Sequence, residues 1–377
     1  MIALILAAAV LSADFQKNPE QTGWTALPDS KFGETVVWTN QQAVTLFPVE
    51  KRYPTAGVRS SRFAVRPDQY YRVRFRATSE KPAWLALVFQ DKQQQGLPGD
   101  YYTQIDPAPA GEWRQFDVQT KYPATSGFVQ FQISSTPGLL TVDDVTVTPV
   151  RRKAVLQDAV RREAELASVP LDGVAARLEK LSRTLGKLRG RQPVRILFFG
   201  DSISNDLSNS PFDLLLEQRF PGARVEKRYN GRGGTGWAKF QNEVDTLVVP
   251  HKPDLIVMEA VSNTLMDLDK PLRSVIAQLR AKLPQTEILI VAPHMRTINH
   301  HTGKVTDEQR ETLRALAAEL ELPFVDLMTV WDRALEKNGR PLDWLLRDLI
   351  HMNERGRLVS ARALVNLLGE TRPLDSK

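Results

Sequence analysis

Residues 194–199 read VRILFF and lead straight into Gly200-Asp201-Ser202. An apolar run without alternation belongs to a strand buried on both faces, which a parallel sheet between two helix layers provides. Further strands are expected at 223–229, 254–259, 286–292 and 324–327. Helical patterns fall between and after them, at 211–219, 270–283, 306–321 and 354–368. Repeated strand–helix units of this kind predict an α/β domain with a parallel sheet over residues 193–377.

Residues 20–150 obey a different period. YYRVRFRA (70–77) sets Tyr71, Val73, Phe75 and Ala77 against Arg72, Arg74 and Arg76, and FVQFQIS (128–134) sets Val129, Phe131 and Ile133 against Phe128, Gln130 and Gln132. Period two marks half-buried strands. AWLALVFQ (83–90), RQFDVQT (114–120) and TVDDVTVTP (141–149) extend the series. Turn signals at Pro98-Gly99-Asp100, Pro109-Ala110-Gly111 and Pro137-Gly138 separate them. Short strands at this spacing predict an all-β sandwich. With Trp113 leading one strand and VDDVTV closing another, this lobe resembles the jelly-roll carbohydrate-binding modules.

Between the two lies a basic stretch, 151–192, with eleven Lys or Arg against five Asp or Glu. Leu171, Val174, Leu178, Leu181, Leu185 and Leu188 recur there at helical spacing, which predicts one amphipathic linker helix packed on a neighbouring domain. Its charge is read as a solvated face, with an acidic partner as the alternative and no nucleic-acid motif beside it. At the N-terminus, IALILAAAVL (2–11) followed by Ser12-Ala13 is too short to span a bilayer. It is read as a secretory signal over residues 1–13, with a buried first strand as the alternative. The expectation is a secreted or periplasmic protein with no membrane span.

Composition removes several classes. With 42% hydrophobic and 25% charged residues the chain is neither disordered nor a polytopic membrane protein. The absence of Cys excludes disulfide scaffolds, thiolate zinc sites and a Cys nucleophile.

Ser202 stands where a buried strand ends and a helix begins, the edge at which open α/β sheets build their sites. A Ser hydroxyl needs a base, and a His base needs a carboxylate to orient it. Asp348-Leu349-Ile350-His351 offers both from one turn near the C-terminus. The loop Asn230-Gly231-Arg232-Gly233-Gly234-Thr235-Gly236 suits close backbone approach to a ligand, and Asn263 in Val261-Ser262-Asn263-Thr264 carries a side-chain amide after the third strand. His294, His300, His301 and Arg296 follow the fourth strand and are read as a polar rim rather than a metal cluster.

With Ser, Gly, Asn and His blocks in that order, residues 193 to about 370 resemble the SGNH hydrolases, or GDSL esterases. The resemblance implies a three-layer, flavodoxin-like domain. It makes Ser202 the nucleophile, His351 the general base and Asp348 its partner. The oxyanion hole would comprise the backbone N–H groups of Ser202 and Gly234 and the Asn263 amide. Asp201, His294 and Arg296 are candidates to touch substrate. The third block departs from the family's Gly-x-Asn-Asp, and Ile203 replaces the Leu of the older name. The activity implied is hydrolysis of acyl esters, acetyl foremost, on a poly- or oligosaccharide, with no metal or cofactor. O-acyl transfer with the same residues, a general lipase or arylesterase, and a carbohydrate-binding protein with an inactive hydrolase lobe are the alternatives.

Overall fold

A computed structural model of the chain describes residues 9–28, 31, 33–39, 43–47, 56–106, 108–133, 138–166, 175–259, 268–294 and 303–370. Two units divide it, Met1–Val155 and Leu156–Lys377.

Among the described residues the first unit is built of β1 (Leu11–Ala13), β2 (Thr25–Ala26), β3 (Val36–Thr39), β4 (Ala43–Leu46), β5 (Ala56–Arg59), β6 (Phe63–Ala64), β7 (Tyr70–Ser79), β8 (Ala83–Gln90), β9 (Tyr101–Ile105), β10 (Ala108–Gln119), β11 (Ser126–Ile133) and β12 (Leu140–Val150). They form two antiparallel sheets. One runs β10-β7-β12-β4-β3 with β1 on β12, the other β2-β5-β11-β8-β9 with β6 on β11. The expected alternation is present on β7: Tyr71, Val73, Phe75 and Ala77 are buried, while the arginines face outward. Outside, Arg72 meets Asp117 at 2.7 Å, and Arg76 meets Asp143 at 3.0 Å beside a bulge in β12. Inside, Phe75 of one sheet meets Phe131 of the other edge-on at 5.0 Å. Burying each such ring contributes about 1.5–3 kcal/mol.

Two large aromatic residues of this unit belong to its core. Trp24 is buried against Phe15 and Phe131, and Tyr101 is fully buried. Among the described residues Trp113, at 46% exposed, is a large surface ring on a strand of this unit, with the Arg74 guanidinium 4.1 Å from its centroid. Residues 1–8 of the apolar N-terminal run lie outside the described residues. Its end pairs in β1, Leu11 with Val147 and Ala13 with Val145.

The basic stretch is not one helix. It opens with α1 (Arg152–Ala164) and, beyond residues outside the described set, continues as β13 (Ala175–Ala176), a 3-10 turn over Leu178–Leu181 and α2 (Ser182–Arg189). Arg177, at φ 57°, breaks any continuous helix there. Leu171 and Val174 of the expected seam lie outside the described residues. Leu181, Leu185 and Leu188 are buried in the core of the second unit, so the seam packs as expected, through two short helices in place of one.

That unit continues with β14 (Pro193–Gly200), α3 (Ser202–Ser208), α4 (Phe212–Arg219), β15 (Arg224–Gly231), α5 (Trp237–Phe240), α6 (Val244–Leu247), β16 (Leu255–Glu259), α7 (Asp269–Lys282), β17 (Glu287–Ala292), α8 (Gly303–Glu319), β18 (Phe324–Asp326), α9 (Leu327–Asn338) and α10 (Glu354–Glu370). The sheet order is β13-β18-β17-β16-β14-β15, parallel except for β13. Counting parallel strands along the chain, this is the 2-1-3-4-5 order of flavodoxin-like folds, with its crossover reversal beside β14. Val194, Ile196 and Phe198 of β14 point into one helix layer, Leu197 and Phe199 into the other. The run VRILFF is apolar because both of its faces are core.

The register sets up the site. Gly200 pairs with Gly231 of β15 on one side and Glu259 of β16 on the other. Three carboxyl ends therefore finish level. A Cβ on Gly231 would lie 1.8 Å from the Gly200 carbonyl oxygen, so only glycine fits where these strands close up.

Candidate active site

Ser202 is the first residue of α3, and Asp201 caps that helix, its carboxylate accepting the Ile203 N–H at 2.9 Å. Asp201 is fully buried. Its place is that of an N-cap that aims the next residue outward, not of a group open to substrate. From β15, the Tyr229 hydroxyl donates to the carbonyls of Gly200 at 3.3 Å and Asp201 at 3.1 Å. Burial, with the charges of Asp201 and Asp206, pushes the Tyr229 phenol up, so it stays a donor. The strand-to-helix junction beneath Ser202 is thus held at two carbonyls and a cap.

The partner arrives from the other end of the unit. His351 Nε2 lies 2.9 Å from Ser202 Oγ, and His351 Nδ1 lies 2.8 Å from Asp348 Oδ2. Asp348 Oδ1 accepts the backbone N–H groups of Ile350 at 2.8 Å and His351 at 2.7 Å. Burial alone pushes the Asp348 carboxyl up. The hydrogen bond and charge of His351, with those two backbone donors, outweigh it and hold the group at about 2. An ionised carboxylate only accepts, so Nδ1 carries the proton and Nε2 presents its lone pair to the Ser202 hydroxyl. Ser202, His351 and Asp348, from the two ends of the unit, form one hydrogen-bonded relay able to draw a proton from a serine hydroxyl.

The turn carrying Asp348 and His351 is closed on itself. Arg347 N–H donates to the His351 carbonyl at 2.9 Å, and Leu346 bridges Met352. Asn353 ends the turn by capping α10: its Oδ1 accepts from Arg355 and Gly356, while its Nδ2 donates to the Trp344 and Leu346 carbonyls. His294, expected on a polar rim, is instead fully buried. Its ring lies 4.4 Å from that of Trp331, and its Nε2 is 2.8 Å from the Ile350 carbonyl. It supports the turn from behind, out of reach of a solvent-borne ligand. Outward, Leu349 at 48% and Ile350 at 38% exposed place apolar surface beside the relay.

The glycine loop passes close to the hydroxyl. A Cβ on Gly233 would stand 3.8 Å from Ser202 Cβ, and Gly234 takes φ 64°. Glycine here keeps backbone beside the serine free of side chains. Asn263, Arg296, His300 and His301 lie outside the described residues. Among the described residues no group of three or more His, Asp or Glu is placed to hold a metal, and no helix is long and apolar enough to cross a membrane.

Sequence reasoning missed Asp206, Arg347 and Arg357, which surround this site in the fold. Arg347 Nη1 reaches Asp206 at 2.6 Å across 141 residues of sequence. Only the position of Asp206, four residues after Ser202 on the same helix face, signals it.

Residues 198–358 match the family model of the GDSL-like lipase/acylhydrolase family. No curated protein matches the chain. Among solved structures, it is similar to a Parabacteroides merdae protein named for its likeness to GDSL lipases, with 19% identity and a TM-score of 0.40 over 47% of this chain and 95% of that one. It is also similar to a two-domain esterase active on acetylated mannans, co-crystallised with mannopentaose (16% identity, TM-score 0.45, 56% of this chain, 60% of that one). A third similar structure is an acetylxylan esterase from Geobacillus stearothermophilus, with 20% identity and a TM-score of 0.40 over 47% of this chain and 94% of that one.

Proposed function

From a C-terminal unit that carries a GDSL-like lipase/acylhydrolase domain, and so a carboxylic ester hydrolase, we propose a serine esterase working through Ser202, His351 and Asp348. The observation that supports this best is the unbroken chain of contacts from Ser202 Oγ through both imidazole nitrogens to an ionised carboxylate.

In the acylation step Ser202 Oγ attacks the ester carbonyl carbon while His351 Nε2 takes its proton. The carbonyl oxygen becomes an oxyanion, held by the N–H groups of Ser202 and Gly234 and the amide of Asn263. Each such donor contributes about 3 kcal/mol to lowering the barrier. The C–O bond to the alcohol then breaks, and His351 returns the proton to the leaving oxygen. Water attacks the acyl-enzyme with His351 again as base, which frees the acid and restores Ser202. Asp348 keeps the ring in the required tautomer and stabilises the imidazolium between steps.

The substrate we propose is an acyl ester, acetyl foremost, on a poly- or oligosaccharide outside the cytoplasm. The β-sandwich joined to the hydrolase unit supports a carbohydrate, and the exposed Trp113 is its flat apolar surface for a sugar ring. A second reading, a lipase or arylesterase, draws on the exposed Leu349 and Ile350 beside the relay, which suit a longer acyl chain or an aromatic alcohol.

The test is hydrolysis of p-nitrophenyl acetate by the full chain beside Ser202→Ala, followed by acetylated xylan and a series of longer p-nitrophenyl esters. Turnover lost in the variant and highest on acetyl supports the proposal. A preference rising with chain length favours the second reading. Wild type no faster than Ser202→Ala on every ester overturns both.

A further inference from the structure

One carboxylate joins α3 to the turn that carries His351. Asp206 follows Ser202 by one helical turn and is 1% exposed. Its Oδ1 accepts from Arg347 Nη1 at 2.6 Å and from Arg357 Nη2 at 2.7 Å. Its Oδ2 accepts the backbone N–H of Met352, the residue after His351, at 3.0 Å. Arg347 belongs to the same turn and also donates to the Met352 carbonyl at 2.8 Å. Arg357, in the first turns of α10, reaches Glu354 at 2.7 Å through its other amino group. Arg347 Nε also lies 4.0 Å from Asp348 Oδ2, so three carboxylates face two guanidinium groups.

Such a network returns little stability. Desolvating buried charges costs as much as their attraction yields, and an apolar cluster of equal volume is often no worse. What it supplies is geometry. Asp206 grips the chain on both sides of His351, through the Met352 N–H directly and through Arg347 in front of Asp348. It does so from the helix whose first residue is Ser202. The helix, the turn and α10 are fastened at one point.

We infer that Asp206 is a positioning residue for the esterase reaction, setting the distance between Ser202 Oγ and His351 Nε2 through Arg347 and the Met352 N–H. This rests on the reading of Ser202 and His351 as nucleophile and base. The charged and titratable groups facing Asp206 are Arg347 from the turn, Arg357 from α10, His351 and, from β15, Tyr229, with Glu354 behind Arg357. Its negative charge therefore also favours the protonated imidazole that forms during turnover.

Asp206→Asn keeps the shape but sets an amide N–H₂ or a lost charge against three donors. Misplacing a base by a fraction of an ångström lowers kcat about 10–100-fold. The expected result is that loss in kcat per active site, counted by fluorophosphonate titration, with KM within about twofold and the acid limb of kcat/KM moved to lower pH. A merely structural role would lower the melting temperature and the fraction of titratable sites, leaving kcat per site and the pH profile as in wild type, and would overturn the inference. If Asp206→Asn does not fold, Asp206→Glu, which keeps the charge but displaces the carboxylate by one methylene and leaves Arg347 beside Asp348, gives the same reading. A loss of about tenfold in kcat per site supports the inference, and a wild-type value overturns it. Ser202→Ala run alongside separates the two levels: activity surviving there defeats the nucleophile assignment, whereas a dead Ser202→Ala beside an unaffected Asp206→Asn defeats only the positioning role.

Discussion

Replacing Asp348 by Asn tests the relay at the atom on which its direction depends. The carboxylate accepts three hydrogen bonds: two backbone N–H groups on Oδ1, at 2.8 and 2.7 Å, and the imidazole on Oδ2 at 2.8 Å. An Asn satisfies the backbone pair with its single oxygen, so the turn keeps its shape. Its amide nitrogen then faces His351 Nδ1, and donor meets donor unless the imidazole changes tautomer. In the new tautomer Nε2 carries the proton and offers Ser202 nothing to donate to. In the chymotrypsin-type proteases the same exchange, acting through the wrong tautomer, costs about 10⁴ in kcat. With the same geometry, about 10³–10⁴ is expected here, or about 4–5.5 kcal/mol of barrier. The assay is kcat and KM on p-nitrophenyl acetate from pH 5 to 9, with a melting temperature for each protein. Asp348→Asn that stays folded and turns over within tenfold of wild type would refute the orientation argument.

Acid should act on the same carboxylate in a second way. Asp348 is depressed from 3.8 to about 2 in the folded chain, so it binds fewer protons folded than unfolded near pH 3. Its contribution, about 2 kcal/mol, is whole above about pH 4 and is lost as pH falls toward 2. Urea unfolding of the hydrolase unit at pH 7, 4, 3 and 2 should show a steeper loss in wild type than in Asp348→Asn; parallel curves contradict it. Gly231→Ala places a methyl 1.8 Å from the Gly200 carbonyl oxygen. Parting the strand ends should cost about 1–3 kcal/mol and lower kcat at least tenfold, read by thermal melts and by turnover per titrated site. A variant with both unchanged would show that the two strand ends are free to separate.

The large patterns were legible because each comes from one local rule. Alternation in YYRVRFRA became a half-buried strand, and VRILFF became a strand with core on both faces. Asp348 and His351 were legible because three residues of separation let them bond within one turn. The unread parts depend on partners far away in sequence. Nothing local distinguishes Trp24 in the core from Trp113 at the surface, since both are single rings among polar residues. His294 looked like a rim residue because its loop is polar, yet Trp331 and the Ile350 carbonyl enclose it. The leucine seam at 178–188 was correct as a pattern of burial and incorrect as one helix, because a 3-10 turn followed by an α-helix keeps the same residues inward. Asp206 carries no motif at all; its meaning arises only where two arginines from the far end of the unit reach it.

The 149 residues separating Ser202 from His351 have a consequence for when such a protein becomes an enzyme. A ribosome completes the serine, its helix and the first parallel strands long before it reaches the histidine. Until the last segment docks, Ser202 lacks His351 and Asp206 lacks the arginines that neutralise it. A chain stalled or clipped ahead of residue 347 would hold Ser202 without its proposed base and Asp206 without its arginines. On the proposed reading activity therefore arrives last, and its appearance during synthesis or refolding marks the completion of the whole unit.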